Sequence, residues 1–290
     1  MKNILYSVVG VAILTFAACE PITDTYSEGQ VVASASELKA TAEAVVVNGK
    51  NSNKVYVHCT SPVLCQWTDG VNTLSATEGY LTLLLTGEQT ITLTATAANG
   101  SKFTKEFTVT IDELTEPVDP AYGYFCGDGA KKWTWIHGTR CWCNGDGNGI
   151  DCEACWWGVE DDEIADQMDG KGLPNEGFGA TMEFVLSGKK MIKTDADGNV
   201  TTGKFEFDMT PQKTDNWDGV VDNWAIGKLS FINTNILFPN DVNHDLDVWT
   251  EYGIIELTDD RLVLAARTHT VPYDASAGEH WTWIFVPVAE

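Results

Sequence analysis

Basic residues are scarce in this chain: 18 Lys and Arg stand against 42 Asp and Glu, a net charge of −24. A field of that sign repels nucleic acid and anionic lipid headgroups. Neither is an expected partner; neutral or cationic ligands and metal ions are admitted. After residue 16 there is no long apolar run, and the one before it, Ile4 to Phe16, is too short to span a bilayer. Long helical periodicity is lacking too; Glu163 to Met168 has room for a turn or two. The strings that carry common chemistries are also missing. There is no nucleophile elbow, no phosphate loop and no His-Glu-x-x-His. The five histidines, His58, His137, His244, His269 and His280, show no ligand spacing.

What is present starts at the N-terminus. Lys2, the apolar run and the string Phe16-Ala17-Ala18-Cys19 carry the basic, apolar and small-residue parts of a secretory signal. The string resembles a bacterial lipobox, with Phe16 where leucine is usual. The resemblance implies that residues 1–18 are removed and that the Cys19 thiol is lipidated. The membrane partner is then reached through acyl chains, at the outer membrane or cell surface. The plainer alternative is a secretory signal followed by a chance cysteine. Loss of Lys2 takes the charge from −24 to −25. Export permits disulfides. With Cys19 set aside from the 8 cysteines, an odd number remains and at least one thiol stays unpaired.

The expected fold class is all-β. Residues 19–30 are polar and aperiodic and read as a tether. Residues 31–112 hold short runs rich in Val, Thr and Leu, among them Lys54-Val-Tyr-Val-His58, Gln89 to Ala95 and Phe107 to Ile111. The last two alternate apolar and polar, the period of a half-buried strand. The spacing predicts a small β-sandwich. Cys65-Gln-Trp67-Thr-Asp69-Gly70, Gly87 to Leu93 and Asn99-Gly100 resemble PKD and related immunoglobulin-like modules. That resemblance implies a spacer that binds no sugar. Cys59 and Cys65 flank a turn that a disulfide could staple. Residues 113–121, with Pro117 and Pro120, read as a linker.

Residues 122–290 predict a larger β-sandwich or jelly roll. Strands are expected near 131–136, 180–187, 203–209, 227–232, 252–257, 261–267 and 280–287. Trp133-Thr-Trp135 and Trp281-Thr-Trp283 place two Trp pairs near the ends of this region. Period two sets each pair on one face, and if first and last strands pair, four indoles join in the core.

Between these pairs lies a loop, 137–158, rich in Gly, Asn and Asp and bracketed by cysteines. Adjacent side chains of extended backbone point opposite ways. One of Trp156 and Trp157 can therefore anchor the loop while the other stacks on a pyranose. The competing assignment makes both rings anchors. Trp142 and Trp224 are further stacking candidates, and Trp249 another, with core or rim packing as the alternative. Asn144, Asp146, Asn148 and Asp151 alternate around glycines like the start of a Ca2+ loop. The twelfth position from Asn144 is Cys155 rather than Glu, which excludes an EF-hand and leaves another oxygen-ligated cation site. Cys141, Cys143, Cys152 and Cys155 could instead take tetrahedral Zn2+, with disulfides competing. No cofactor is required for either outcome.

The ordered series Trp133-Thr-Trp135, Gly-Asp-Gly, Trp156-Trp157, Phe238-Pro239, Tyr252-Gly-Ile-Ile-Glu-Leu-Thr, Leu262-Val-Leu and Trp281-Thr-Trp-Ile-Phe-Val-Pro is similar to lipoproteins of gut-bacterial polysaccharide-utilisation loci. The family's implied role is surface capture of glycans beside an outer-membrane glycan transporter. The cysteine-rich loop departs from that family's pattern. Structural or adhesive surface protein is one alternative, glycoside hydrolase another. A hydrolase needs two facing carboxylates, and Glu160, Asp161, Asp162, Glu163, Asp241, Asp245, Asp247, Glu251 and Glu256 are candidates in a chain where acids are common. The laminarinase-type Glu-x-Asp-x-x-Glu string is absent. The expected function is glycan binding at the cell envelope, without catalysis.

Overall fold

The computed structural model describes residues 32–146, 155–216, 219–243, 245–267 and 279–289. Cys19, Asn148, Asp151, Cys152 and Trp217 lie outside them. The described chain is all-β apart from short helical turns. None of its helices is long and apolar enough to cross a membrane.

Seven strands come first along the chain: β1 Ala40–Val47, β2 Lys50–Cys59, β3 Leu64–Thr68, β4 Thr73–Leu74, β5 Glu78–Thr82, β6 Gly87–Thr96 and β7 Lys102–Ile111. Asn48 and Gly49 join β1 to β2 with positive φ at both positions, 50° and 80°. Such a two-residue turn matches the twist of a hairpin. One antiparallel sheet runs β1-β2-β5 and another β4-β3-β6-β7. Val55, Val57 and Leu81 of the first and Trp67, Ile91 and Leu93 of the second meet in one core. The alternation read from β6 is visible there, with Ile91, Leu93 and Ala95 buried between threonines.

Residues 113–116, expected to begin a linker, are bonded to β2, as is Asp112 before them. Asp112 N–H donates to the Asn51 carbonyl at 2.8 Å. The Asn53 side-chain oxygen accepts from Thr115 N–H at 2.9 Å and Glu116 N–H at 2.8 Å. The chain then forms α1, Ala121–Cys126, before β8, Ala130–Trp135.

The remaining elements are β9 Trp142–Asp146, β10 Trp157–Val159, α2 Ile164–Met168, β11 Thr181–Val185, β12 Lys190–Thr194, β13 Val200–Asp208, β14 Gln212–Asn216, β15 Gly219–Ala225, β16 Gly227–Ile232, β17 Asn240–Asp241, β18 Asp247–Val248, β19 Glu251–Leu257, β20 Leu262–Arg267 and β21 Glu279–Pro287. Here the structure corrects the expected sandwich or jelly roll. Strands β8, β11, β12, β13, β16, β19, β20 and β21 pair antiparallel in that order, and β21 returns to pair with β8. The sheet closes on itself as a barrel. Closure satisfies the edge strands that a sandwich would leave open. The seam is composite: β21 pairs with β8 over 285–287 and with β9 over 279–283.

Eight strands leave an interior that side chains can fill, and large rings fill this one. Trp133, Trp135, Trp142, Trp281, Trp283, Phe184, Phe205 and Phe285 are all fully buried. Three buried indoles find backbone acceptors: Trp133 on Phe125 at 3.1 Å, Trp135 on Glu176 at 2.7 Å and Trp283 on Phe238 at 2.9 Å. Glu176 anchors the covering loops. Its carboxylate bonds Lys193 Nζ at 2.5 Å and accepts from Phe238 N–H at 2.5 Å. The two β parts touch where Gly188 N–H donates to the Gly70 carbonyl at 2.6 Å. A cleft of about 100 Å³ lies beside this contact, lined by Asp69, Leu84, Leu85, Gly129 and Leu186 among others.

Candidate functional site

The described ends of the cysteine-bracketed loop meet where β9 leaves the barrel seam and pairs with β10. The register sets Trp157 opposite Asn144 and Asn144 opposite Trp281. Residues directly opposite share a face, so Trp157 lies on the barrel's inner face, out on the edge strand. Its ring stands edge-on to Trp142, centroids 5.3 Å apart, and to Trp281 at 6.3 Å. It remains 38% exposed. Trp156, one residue earlier, is 59% exposed and makes none of the ring contacts that hold Trp157. The two adjacent indoles thus differ: one leans on the core and the other faces solvent.

A disulfide joins Cys143 to Cys155, with Cα atoms 6.3 Å apart. It rests on a small apolar patch outside the barrel formed by Val263 and Ile284. Two close approaches make the hairpin possible. A Cβ on Gly158 would lie 2.7 Å from Cys143 Cβ and 3.2 Å from Arg140 Cδ, and one on Gly145 would lie 3.0 Å from Cys155 Cα. Only glycine fits at Gly158 without displacement.

Other expected site residues fall differently. Trp142 is corrected from glycan ligand to core: it is fully buried, stacked on Trp281 at 4.5 Å and tilted against Phe238 at 4.5 Å. Trp249 is core as well, its indole bonded to the Arg267 carbonyl at 2.7 Å. Trp224 is half-buried against the outside of the barrel, stacked on His280 at 5.2 Å. It covers Gly253, where a Cβ would come within 2.3 Å of Trp224 Cζ3. Cys59 and Cys65 are free buried thiols, and no staple joins them in this structure. Burial, then a hydrogen bond made to Cys59 by the protonated thiol and the charge of that neighbour, pushes Cys65 up to about 12.

Of the cation ligands considered, Asn144 is buried on the inner face; Asn148 and Asp151 lie outside the described residues, as does the side chain of Asp146. The disulfide uses two of the four sulfurs that the Zn2+ alternative needs. Among the described residues no group of three or more His, Cys, Asp or Glu converges as a metal site.

Sequence reasoning missed a second feature of the rim. His137, in the turn between β8 and β9, bonds the Asp161 carboxylate through Nδ1 at 2.9 Å. The Asp161 side chain is 4% exposed and the His137 ring 70%. The hydrogen bond, and then the charge, of Asp161 raises the His137 pKa. The ring also lies 5.5 Å from Phe178, itself 61% exposed. The remaining carboxylate candidates are dispersed: Glu251 pairs with Lys228 at 3.2 Å, Glu256 with Arg261 at 3.3 Å, and Asp241 is buried.

Two buried donors bear on the rim. Among the described residues the indole N–H groups of Trp142 and Trp281 have no hydrogen-bond partner.

No known protein family matches this chain. No curated protein matches it at a significant level either.

Proposed function

We propose that the chain is an exported lipoprotein, anchored through Cys19, that binds glycan at the rim of its C-terminal barrel. In this reading residues 31–112 are a PKD/immunoglobulin-like module, and an outer-membrane glycan transporter is the neighbouring partner. One observation carries the binding assignment: Trp156 presents a largely exposed indole on a disulfide-tied hairpin. An exposed ring has no stabilising role in the core and offers a flat apolar surface to the C–H face of a pyranose. The disulfide limits the entropy lost on binding. Arg140 and His137, both exposed on the neighbouring turn, supply donors for sugar hydroxyls. The test is a glycan array on residues 20–290, followed by calorimetry on the best hit with Trp156→Ala. A wild-type signal that Trp156→Ala leaves unchanged removes this hairpin as the site.

A further inference from the structure

The N-terminal part has two outward faces, and they differ in chemistry. The outer face of β6 and β7 carries Thr90, Thr92, Thr94, Thr104, Glu106 and Thr108, an ordinary solvated surface. The outer face of β2 and β5 carries rings. Register places Tyr56 opposite Tyr80 and His58 opposite Glu78. Centroids of Tyr56 and Tyr80 lie 5.2 Å apart, and those of Tyr56 and His58 lie 6.1 Å apart with planes within 19°. Tyr80 is 55% exposed.

Charged groups hold these rings and ring their edges. The Tyr56 hydroxyl donates to Glu78 at 2.9 Å, and His58 Nε2 lies 3.8 Å from the same carboxylate. Lys54 Nζ stands 5.0 Å over the Tyr80 ring. On the next strand, Glu43 is exposed opposite Tyr56. Among the described residues no segment of the chain covers this face.

We propose that Tyr56, Tyr80 and His58 form a second glycan-binding surface, on the N-terminal part, for an uncharged pyranose chain. The exposed Tyr80 ring, with the half-buried Tyr56 and His58 rings fixed beside it, suits the C–H faces of successive sugars, and Glu78 and Glu43 beside the rings suit their hydroxyls. The net charge of −24 disfavours polyanionic glycans and selects for neutral ones. Cross-strand pairing fixes the rings before binding, so little side-chain entropy is lost. This surface stands independently of the barrel rim at Trp156. It replaces the sugar-free spacer role implied by the PKD resemblance: the rings are on a sheet face.

The test is native electrophoresis of the chain through gels cast with soluble starch, xylan, mixed-linkage β-glucan or galactomannan. Wild type, Tyr80→Ala, Tyr80→Phe and Trp156→Ala are compared, with melting curves to establish that each is folded. At least one polysaccharide should retard the wild type. Tyr80→Ala should weaken that retardation roughly tenfold, a change of about 1.4 kcal/mol, while Tyr80→Phe, which keeps the ring, retains it. Loss on Trp156→Ala with Tyr80→Ala unchanged overturns this surface and leaves the rim standing; the converse does the opposite. Wild type that no gel retards overturns it too. So does a Tyr80→Ala variant whose only change is its oligomeric state by light scattering, since the face then packs against another copy.

Discussion

Replacing Trp156 and Trp157 one at a time separates binding from folding at the hairpin. Truncating a fully buried Trp to Ala costs about 3–5 kcal/mol. Trp157 is 38% exposed, so about three-fifths of that applies, or about 2–3 kcal/mol. Its edge-on contacts with Trp142 and Trp281 fall in the range where aromatic pairs add to simple burial. For a chain of this size each kcal/mol moves the melting point by about 2–4 °C. Trp157→Ala should therefore melt about 4–12 °C early. Trp156 is 59% exposed, and solvent fills the space its ring leaves. Its loss should cost about 1 kcal/mol or less of stability. If its indole stacks on a sugar, about 1–2 kcal/mol of affinity goes with it, roughly a 5- to 30-fold rise in Kd. Differential scanning calorimetry and titration calorimetry on the same preparations measure both quantities. Equal melting losses for the two variants would refute the division of roles. A Trp156→Ala protein that melts normally and binds as tightly as wild type would refute the stacking.

His137 should titrate above its ordinary pKa of about 6.5, and Asp161→Asn should bring it back, as read from ring-proton NMR shifts. Because the folded value is raised, the stabilisation from this pair is full at acid pH and fades as pH rises through the folded pKa. The stability gap between wild type and His137→Ala should narrow in the same direction in urea melts. Gly253→Ala should cost about 1–3 kcal/mol by forcing Trp224 off the barrel wall; an unchanged denaturation midpoint would show that the ring moves freely. Cys19→Ser should move the protein from the membrane fraction to the soluble one, and a variant that stays membrane-bound would remove the lipid anchor from the proposal.

Much of the strand order was open to sequence reasoning because period-two alternation is a local property. Seven of the barrel strands fall where their apolar runs predict them, from β8 with Trp133 and Trp135 to β21 with Trp281 and Trp283. β12 was missed: Lys190-Met-Ile-Lys-Thr194 is short and carries one fully buried side chain, Met191. α1 straddles the expected boundary between linker and C-terminal part and was not foreseen, since Ala121-Tyr-Gly-Tyr-Phe-Cys126 holds too few residues to show a helical period. The pairing of Trp156 with Trp157 announced that two neighbouring rings must part company. Which one turns outward depends on the register of β10 against β9, and adjacent residues do not encode it.

By itself the sequence determined an all-β chain, a strongly acidic surface, tryptophans concentrated at the two ends of the C-terminal part, and a cysteine-bracketed Gly/Asp loop between them. The tertiary structure alone decided that these ends meet. β21 pairs with β8 and β9 across more than 130 residues of intervening chain, and that closure turns an expected two-layer sandwich into a barrel. It also decided which rings are spent on the core. Trp142 and Trp157 look alike in sequence, yet the first lies on β9 with a paired strand on either side while the second sits on an edge strand with one neighbour. The rings of Tyr56 and Tyr80 were hidden from sequence reasoning for the same reason. They are 24 residues apart in the chain and meet only because β2 and β5 pair in one register. Side-chain chemistry is local, but exposure is a property of what packs beside it, and distant strands do that packing.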